Sequence, residues 1–220
     1  MIYKLDLRSL SPLASPPASG FGSLAEIVQF VPWKPSAWPN APSDQNEFAM
    51  VLKRIFEVSM LMEINNVIED AAARNGSVEH RGHVLAISLL CALDAISSYG
   101  YGKKNGKQIP PFIRAHFPGE YRQFANAVLK LYRHALVHSW NLFEAAITPG
   151  DEGISAEGGV ISFGLLNFFD ALKQGTEHFL EQLAHDGKLQ TKARTRYNTL
   201  RRTAKPASIP AKEFKSATKA

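Results

Sequence analysis

YRQFANAVLKLYRHALVHSW, residues 121–140, sets the architecture of the whole chain. Tyr121, Phe124, Ala125, Val128, Leu131, Tyr132 and Ala135 recur at the spacing of one helix face. The stretch therefore predicts an amphipathic helix running to about Trp140. Such a helix must bury its stripe against other elements, and the chain on either side supplies them. Upstream, a short helix is expected around Phe112–Phe117, ended by Pro118-Gly119, after a loop GYGKKNGKQIPP (100–111). Before that, VLAISLLCALDAI (84–96) is apolar almost all round, which predicts a deeply buried helix over Gly82–Tyr99. Further upstream, Phe48, Val51, Leu52, Ile55, Phe56, Leu61, Met62, Ile64 and Ile68 predict a long helix from Asn46, capped by Ser43 or Asp44 and closed at Asn75-Gly76.

Downstream, LFEAAI (142–147) and GGVISFG (158–164) are β-prone and flank TPGDEGISAEG, so a small hairpin is expected at about 143–163. Phe168, Phe169, Leu172, Phe179, Leu180 and Leu183 predict a fifth helix, Leu165 to about His185. The fold class read from these patterns is all-α: a bundle of about five helices with a small β-hairpin insertion and irregular termini. The expected organisation is a leader (1–45), a helical domain (46–187) and a basic helix or tail (188–220), with a last helix over about Lys188–Thr203.

Composition bounds the function. The chain has 220 residues, enough for one domain with extensions, and one cysteine, Cys91. A disulfide framework and a multi-cysteine zinc site are excluded, and a reducing cytoplasm is the expected compartment. No run of apolar residues is long enough to predict a membrane span, and the first ten residues lack a signal-like apolar core. The leader holds seven of the 13 prolines. It reads either as an irregular segment pinned by Phe30, Trp33 and Trp38 or as a disordered tail.

The formal net charge of +5 is uneven. Residues 188–220 hold ten of the 25 basic and one of the 20 acidic residues, making the tail +9 and the rest −4. Within the tail, Arg194, Arg196, Arg201 and Arg202 surround Tyr197. That arrangement is expected either to follow an RNA phosphate backbone with an aromatic to stack a base, or to be a solvated extension.

Chemistry concentrates at the end of the 121–140 helix. Arg133 and His138 are spaced Arg-x4-His, with His134 after the arginine and Lys130 nearby. Five residues turn a helix by 500°, so the two side chains of the pair project about 140° apart, both off the apolar stripe. Arg and His at a helix C-terminus also suit the macrodipole without further function. Leu129, Val137 and Trp140 line a further edge, which predicts a second packing partner there, a helix or a second subunit.

In an all-helical setting, LYRHALVHSW (131–140) resembles the HEPN superfamily, helical bundles whose signature is Arg-x4-6-His with a polar residue after the arginine. The approach FIRAHFPGEYRQFANAVLKLYRHALVH (112–138), with its Phe-Pro-x-x-Tyr, is similar to that of bacterial HEPN-like proteins. The likeness spans roughly residues 46–187, and its specific part is much shorter. It implies a metal-independent endoribonuclease of toxin or defence type, needing no cofactor, that acts as a homodimer. His138 would be its general base or acid, Arg133 its phosphate ligand, and His134 an orienting or phosphate-binding group. An antitoxin or regulatory protein would be a partner. A toxin subset has Tyr two residues after the motif histidine, where this chain has Trp140, so the modification of that tyrosine is not implied. The same family also implies an alternative, a non-catalytic module binding RNA, nucleotide or protein.

Three other features invite a function. The loop GYGKKNGKQ (100–108) lacks a phosphate-loop pattern: Gly102 and Gly106 are one residue too close, and Gln108 stands where a hydroxyl would meet Mg²⁺. Glu79, His80 and His83 offer two imidazoles and a carboxylate without a third spaced ligand, so capping or plain surface is the alternative. Asp94, inside the apolar helix, is expected either to pair with Arg133 or a histidine of the 121–140 helix or to face solvent.

Overall fold

The computed structural model describes residues 35, 38–75, 82–102, 105–137, 145–148, 150–158 and 160–203; among these, the side chains of 71–75, 83, 132–137 and 145–147 are not described. Asp44 starts the first helix. Its backbone is extended (φ −63, ψ 145) and its carboxylate accepts from the Glu47 N–H at 2.9 Å, satisfying one of the orphan donors of the first turn. Helix α1 spans Gln45–Phe56 and buries Phe48, Val51, Leu52, Ile55 and Phe56.

The chain then widens into a π-helical turn, Glu57–Leu61, before α2, Met62–Asn75. The turn has a cause in the sequence. Nine residues at about 100° each would put Leu61 on the side of the rod opposite Leu52. The extra residue of the π turn rotates the remainder of the rod, and Leu61 and Ile64 reach the core. Glu63, which unbroken α spacing would bring under the rod, is exposed instead.

Helix α3, Gly82–Tyr101, is the hub, packed against α2 and the later helices α4 (Ile109–His116), α6 (Ala125–Val137), α7 (Leu165–His185) and α8 (Gly187–Thr203). Its Val84–Tyr101 segment is long and apolar enough to cross a membrane by length and composition, and its neighbours here bury 61% of it. The glycine-rich loop after α3 is a helix stop. Gly102 takes φ +76 and donates its N–H to Ser98 O at 3.0 Å, and Asn105 and Gly106 also have positive φ. Helix α4 begins with Pro110 and Pro111, which the first turn accepts because its N–H groups have no helical partner. It ends at Phe117, extended before Pro118. A single turn, α5 (Gly119–Arg122), leads into α6, whose Ala125, Val128 and Leu131 are buried as the apolar stripe predicts.

The insertion is a three-stranded sheet in the order β1-β3-β2, with β1 Ala145–Thr148, β2 Ser155–Glu157 and β3 Val160–Gly164. The hairpin is β2–β3, where Glu157 faces Val160 across a tight turn in which Gly158 has φ +57. The two β-prone pieces read from the sequence do pair, but in parallel, Ala145 opposite Ile161 through Thr148 opposite Gly164. The long TPGDEGISAEG connection makes this possible by carrying the chain back and contributing β2 itself.

Helix α7 buries Phe168, Phe169, Leu172, Phe179 and Leu183, and its Gly175 leaves room for the Phe117 ring. A Cβ there would come within 2.5 Å of that ring. Asp186 ends α7 and caps α8, accepting from the N–H groups of Lys188 (2.8 Å) and Leu189 (3.0 Å). Taking α1 and α2 as one rod, five long helices form the bundle among the described residues. The domain extends beyond the expected 46–187, because α8 buries Leu189, Ala193 and Tyr197 and Trp38 joins the core.

Candidate functional site

Helix α6 fixes the backbone of Lys130, Arg133 and His134, and Lys130 is exposed. Its anchoring is firm: the buried stripe lies against α4 and α3, and Tyr121, at the start of the approach, hydrogen-bonds Asn167 of α7. The side chains of Arg133 and His134, all of His138 and Trp140, and Glu79 and His80 lie outside the described residues, as does the side chain of His83. Asp94 is half-buried and accepts a hydrogen bond from the Gln108 side-chain amide. Gln108, read from sequence as the residue that spoils a phosphate loop, thus tethers that loop to α3.

The tail arginines divide into two groups. Arg194 donates to the carbonyls of Pro42, Ser43 (3.0 Å) and Asp44 (2.9 Å), and its guanidinium lies 4.4 Å from the centre of the Phe48 ring. Arg201 donates to Trp38 O (2.7 Å) and the Asn40 side chain, and Arg196 to Ser98 Oγ (3.1 Å). Tyr197, expected to be available for base stacking, is fully buried: it stacks on Trp38, meets the edge of Phe48 and donates to Pro39 O. Residues 38–44 form an irregular strap whose prolines cannot donate to a ladder, and its carbonyls find their donors on α8. Arg202 alone of the four arginines is exposed.

Two further arrangements had no clear sequence signal. His116, 3% exposed, lies among the rings of Phe112, Phe179 and His178, with Nε2 at 3.0 Å from the Tyr101 hydroxyl. Burial first, and then His178, lower its pKa to about 4. Burial raises that of Tyr101, so the phenol keeps its proton and shares a hydrogen bond with Nε2, its direction set by the imidazole tautomer. The other ring nitrogen, Nδ1, is buried with no hydrogen-bond partner among the described residues. In the sequence His116 falls four residues after Phe112 on the apolar face of α4, where it reads as a core position.

The second arrangement is a groove of about 350 Å³ between the π turn, α2 and α3, with Met60, Ile64 and Val67 facing Cys91, Ala92 and Ala95. Partial burial and then the nearby Asp94 raise the Cys91 thiol pKa, which makes it a poor nucleophile near neutrality. No protein-family model, no curated protein and no solved structure matches the chain.

Proposed function

We propose that the protein is an HEPN-like, metal-independent endoribonuclease acting as a homodimer in the cytoplasm, of toxin or defence type and governed by an antitoxin or regulatory protein. The observation that supports the reading is the Arg133-x4-His138 pattern, whose arginine lies on α6, a helix packed into a mostly helical bundle. The chemistry suits those residue types. His138 takes the proton of a ribose 2′-OH, and the oxygen attacks the adjacent phosphorus. The bond from phosphorus to the 5′-oxygen breaks, and that oxygen receives a proton from an imidazolium, supplied by the second copy of the motif. Arg133 pairs with the non-bridging oxygens as charge builds on them, and His134 and Lys130 add hydrogen bonds and positive charge.

The products are a 2′,3′-cyclic phosphate and a 5′-hydroxyl. Cleavage of RNA in the presence of EDTA, leaving those ends, is the expected result. Cleavage that needs a divalent ion, or that leaves a 5′-phosphate, would overturn the mechanism. Specific RNA binding without any cleavage would move the protein to the non-catalytic HEPN-like class.

A further inference from the structure

We infer that the outer face of α8 is a binding track for an RNA strand, separate from the Arg133–His138 motif. The helix carries six basic and no acidic residues. Its inner side is committed to the core and the strap through Leu189, Ala193, Tyr197, Arg194 and Arg201. At about 100° per residue, Lys188, Lys192, Thr195, Thr199 and Arg202 fall within roughly 40° of one line along the opposite side, with Thr191 beside it. All six are exposed. Asp186, the nearest carboxylate in sequence, accepts from the N–H groups that begin the helix and offsets part of the charge of Lys188 and Lys192, leaving the face with a net positive charge.

This face fits one kind of partner. Its three cations match phosphates. Its hydroxyls match a ribose: Thr191, Thr195 and Thr199 each donate to the carbonyl four residues back, at 2.8 Å, so what they turn outward is an acceptor. A 2′-OH is a donor to such an acceptor, and DNA has none. A membrane is disfavoured because the apolar side of the helix is inside the protein and nothing apolar faces out. An acidic protein would lack the aromatic or aliphatic anchor that dominates most such interfaces. The 17 residues of α8 give a track of about 25 Å, the length of about seven stacked nucleotides.

RNA as the partner rests on the proposed ribonuclease function, but the test does not use cleavage. In a full-length His138→Ala background, binding of a fluorescein-labelled 20-nucleotide oligo(U) and of its 2′-deoxy counterpart is followed by anisotropy across a salt series. The expected result is tighter binding of RNA than of DNA. Replacing Lys188, Lys192 and Arg202 together by Gln should weaken RNA binding at least tenfold at 0.1 M salt and reduce the slope of log K against log salt by about 2. Thr195→Val with Thr199→Val should remove the preference for RNA while leaving the salt slope unchanged. All five positions are exposed, and matching circular dichroism and thermal midpoints check the fold. Unchanged binding by the triple Gln variant, equal affinity of the parent for RNA and DNA, or binding of the parent to phosphatidylglycerol vesicles but not RNA would each overturn the inference. Cleavage by the wild-type chain fails or succeeds independently of any of these results.

Discussion

His116 carries a pH dependence set by where it sits. Its ordinary value near 6.5 falls to about 4 in the folded protein. Between those values the unfolded chain binds the proton and the folded one resists it, so stability falls as pH drops from about 6.5 to 4 and is level above that window for this group. The thermal midpoint of the wild type should therefore decline over that range more than that of His116→Phe, which has no proton to gain. Parallel curves for the two proteins would remove His116 as the cause. Arg194 supports a second prediction. Arg194→Ala leaves the Pro42 and Ser43 carbonyls without their donor, takes one of two donors from Asp44 O, whose other is the Phe48 N–H, and should destabilise by about 1–3 kcal/mol in urea unfolding. Arg194→Lys should recover little of it, because an ammonium lacks the planar fork. Arg202→Ala, on the exposed side, should change stability by no more than about 0.5 kcal/mol. Neither role was legible in the sequence. Arg194 bonds backbone about 150 residues away, and a carbonyl leaves no mark in a residue pattern.

Helices were the legible part. The stripes over α1, α6 and α7 identify the elements and most of the described residues they bury, because a repeat of 3.6 is written in side chains, whereas α3, apolar almost all round, shows its burial but not its exposed positions, Val84 and Cys91. The π turn was written there too, as the phase slip between Phe56 and Leu61, but a reading of unbroken spacing passes over it. Strand pairing was only half legible. β-prone composition marks β1 and β3 without saying which way they run, and β2, Ser155–Glu157, is fully exposed and has no apolar signal at all. Close helix contacts are equally silent in one dimension. Gly175 reads as a weak helix residue, yet the Phe117 ring occupies the place of its side chain. Gly175→Ala should therefore destabilise by about 1–3 kcal/mol, against the gain of up to about 1 kcal/mol that alanine gives in an open helix. An increase in the chemical-denaturation midpoint would show that Phe117 moves aside at little cost.

For the molecule as a whole, the charge count needed the structure to be understood. The tail that makes the chain basic is in large part a packed helix, and two of its arginines hold residues 38–44 in place while Lys188, Lys192 and Arg202 face outward. The end of the leader and the start of the tail, which composition sets apart as extensions, close on one another and finish the core. The motif was legible as spacing alone; of the predicted helix, Ala125–Val137 is described as one, Tyr121 sits on the separate turn before it, and His138 lies outside the described residues. Whether Arg133 and His138 form a ribonuclease site is decided by the initial rate of cleavage of one labelled RNA, compared between wild type and His138→Ala at equal folded concentration. The wild type should cleave, and the variant should do so at a rate at least about 100-fold lower. Equal rates, or no cleavage by the wild type, would refute the site.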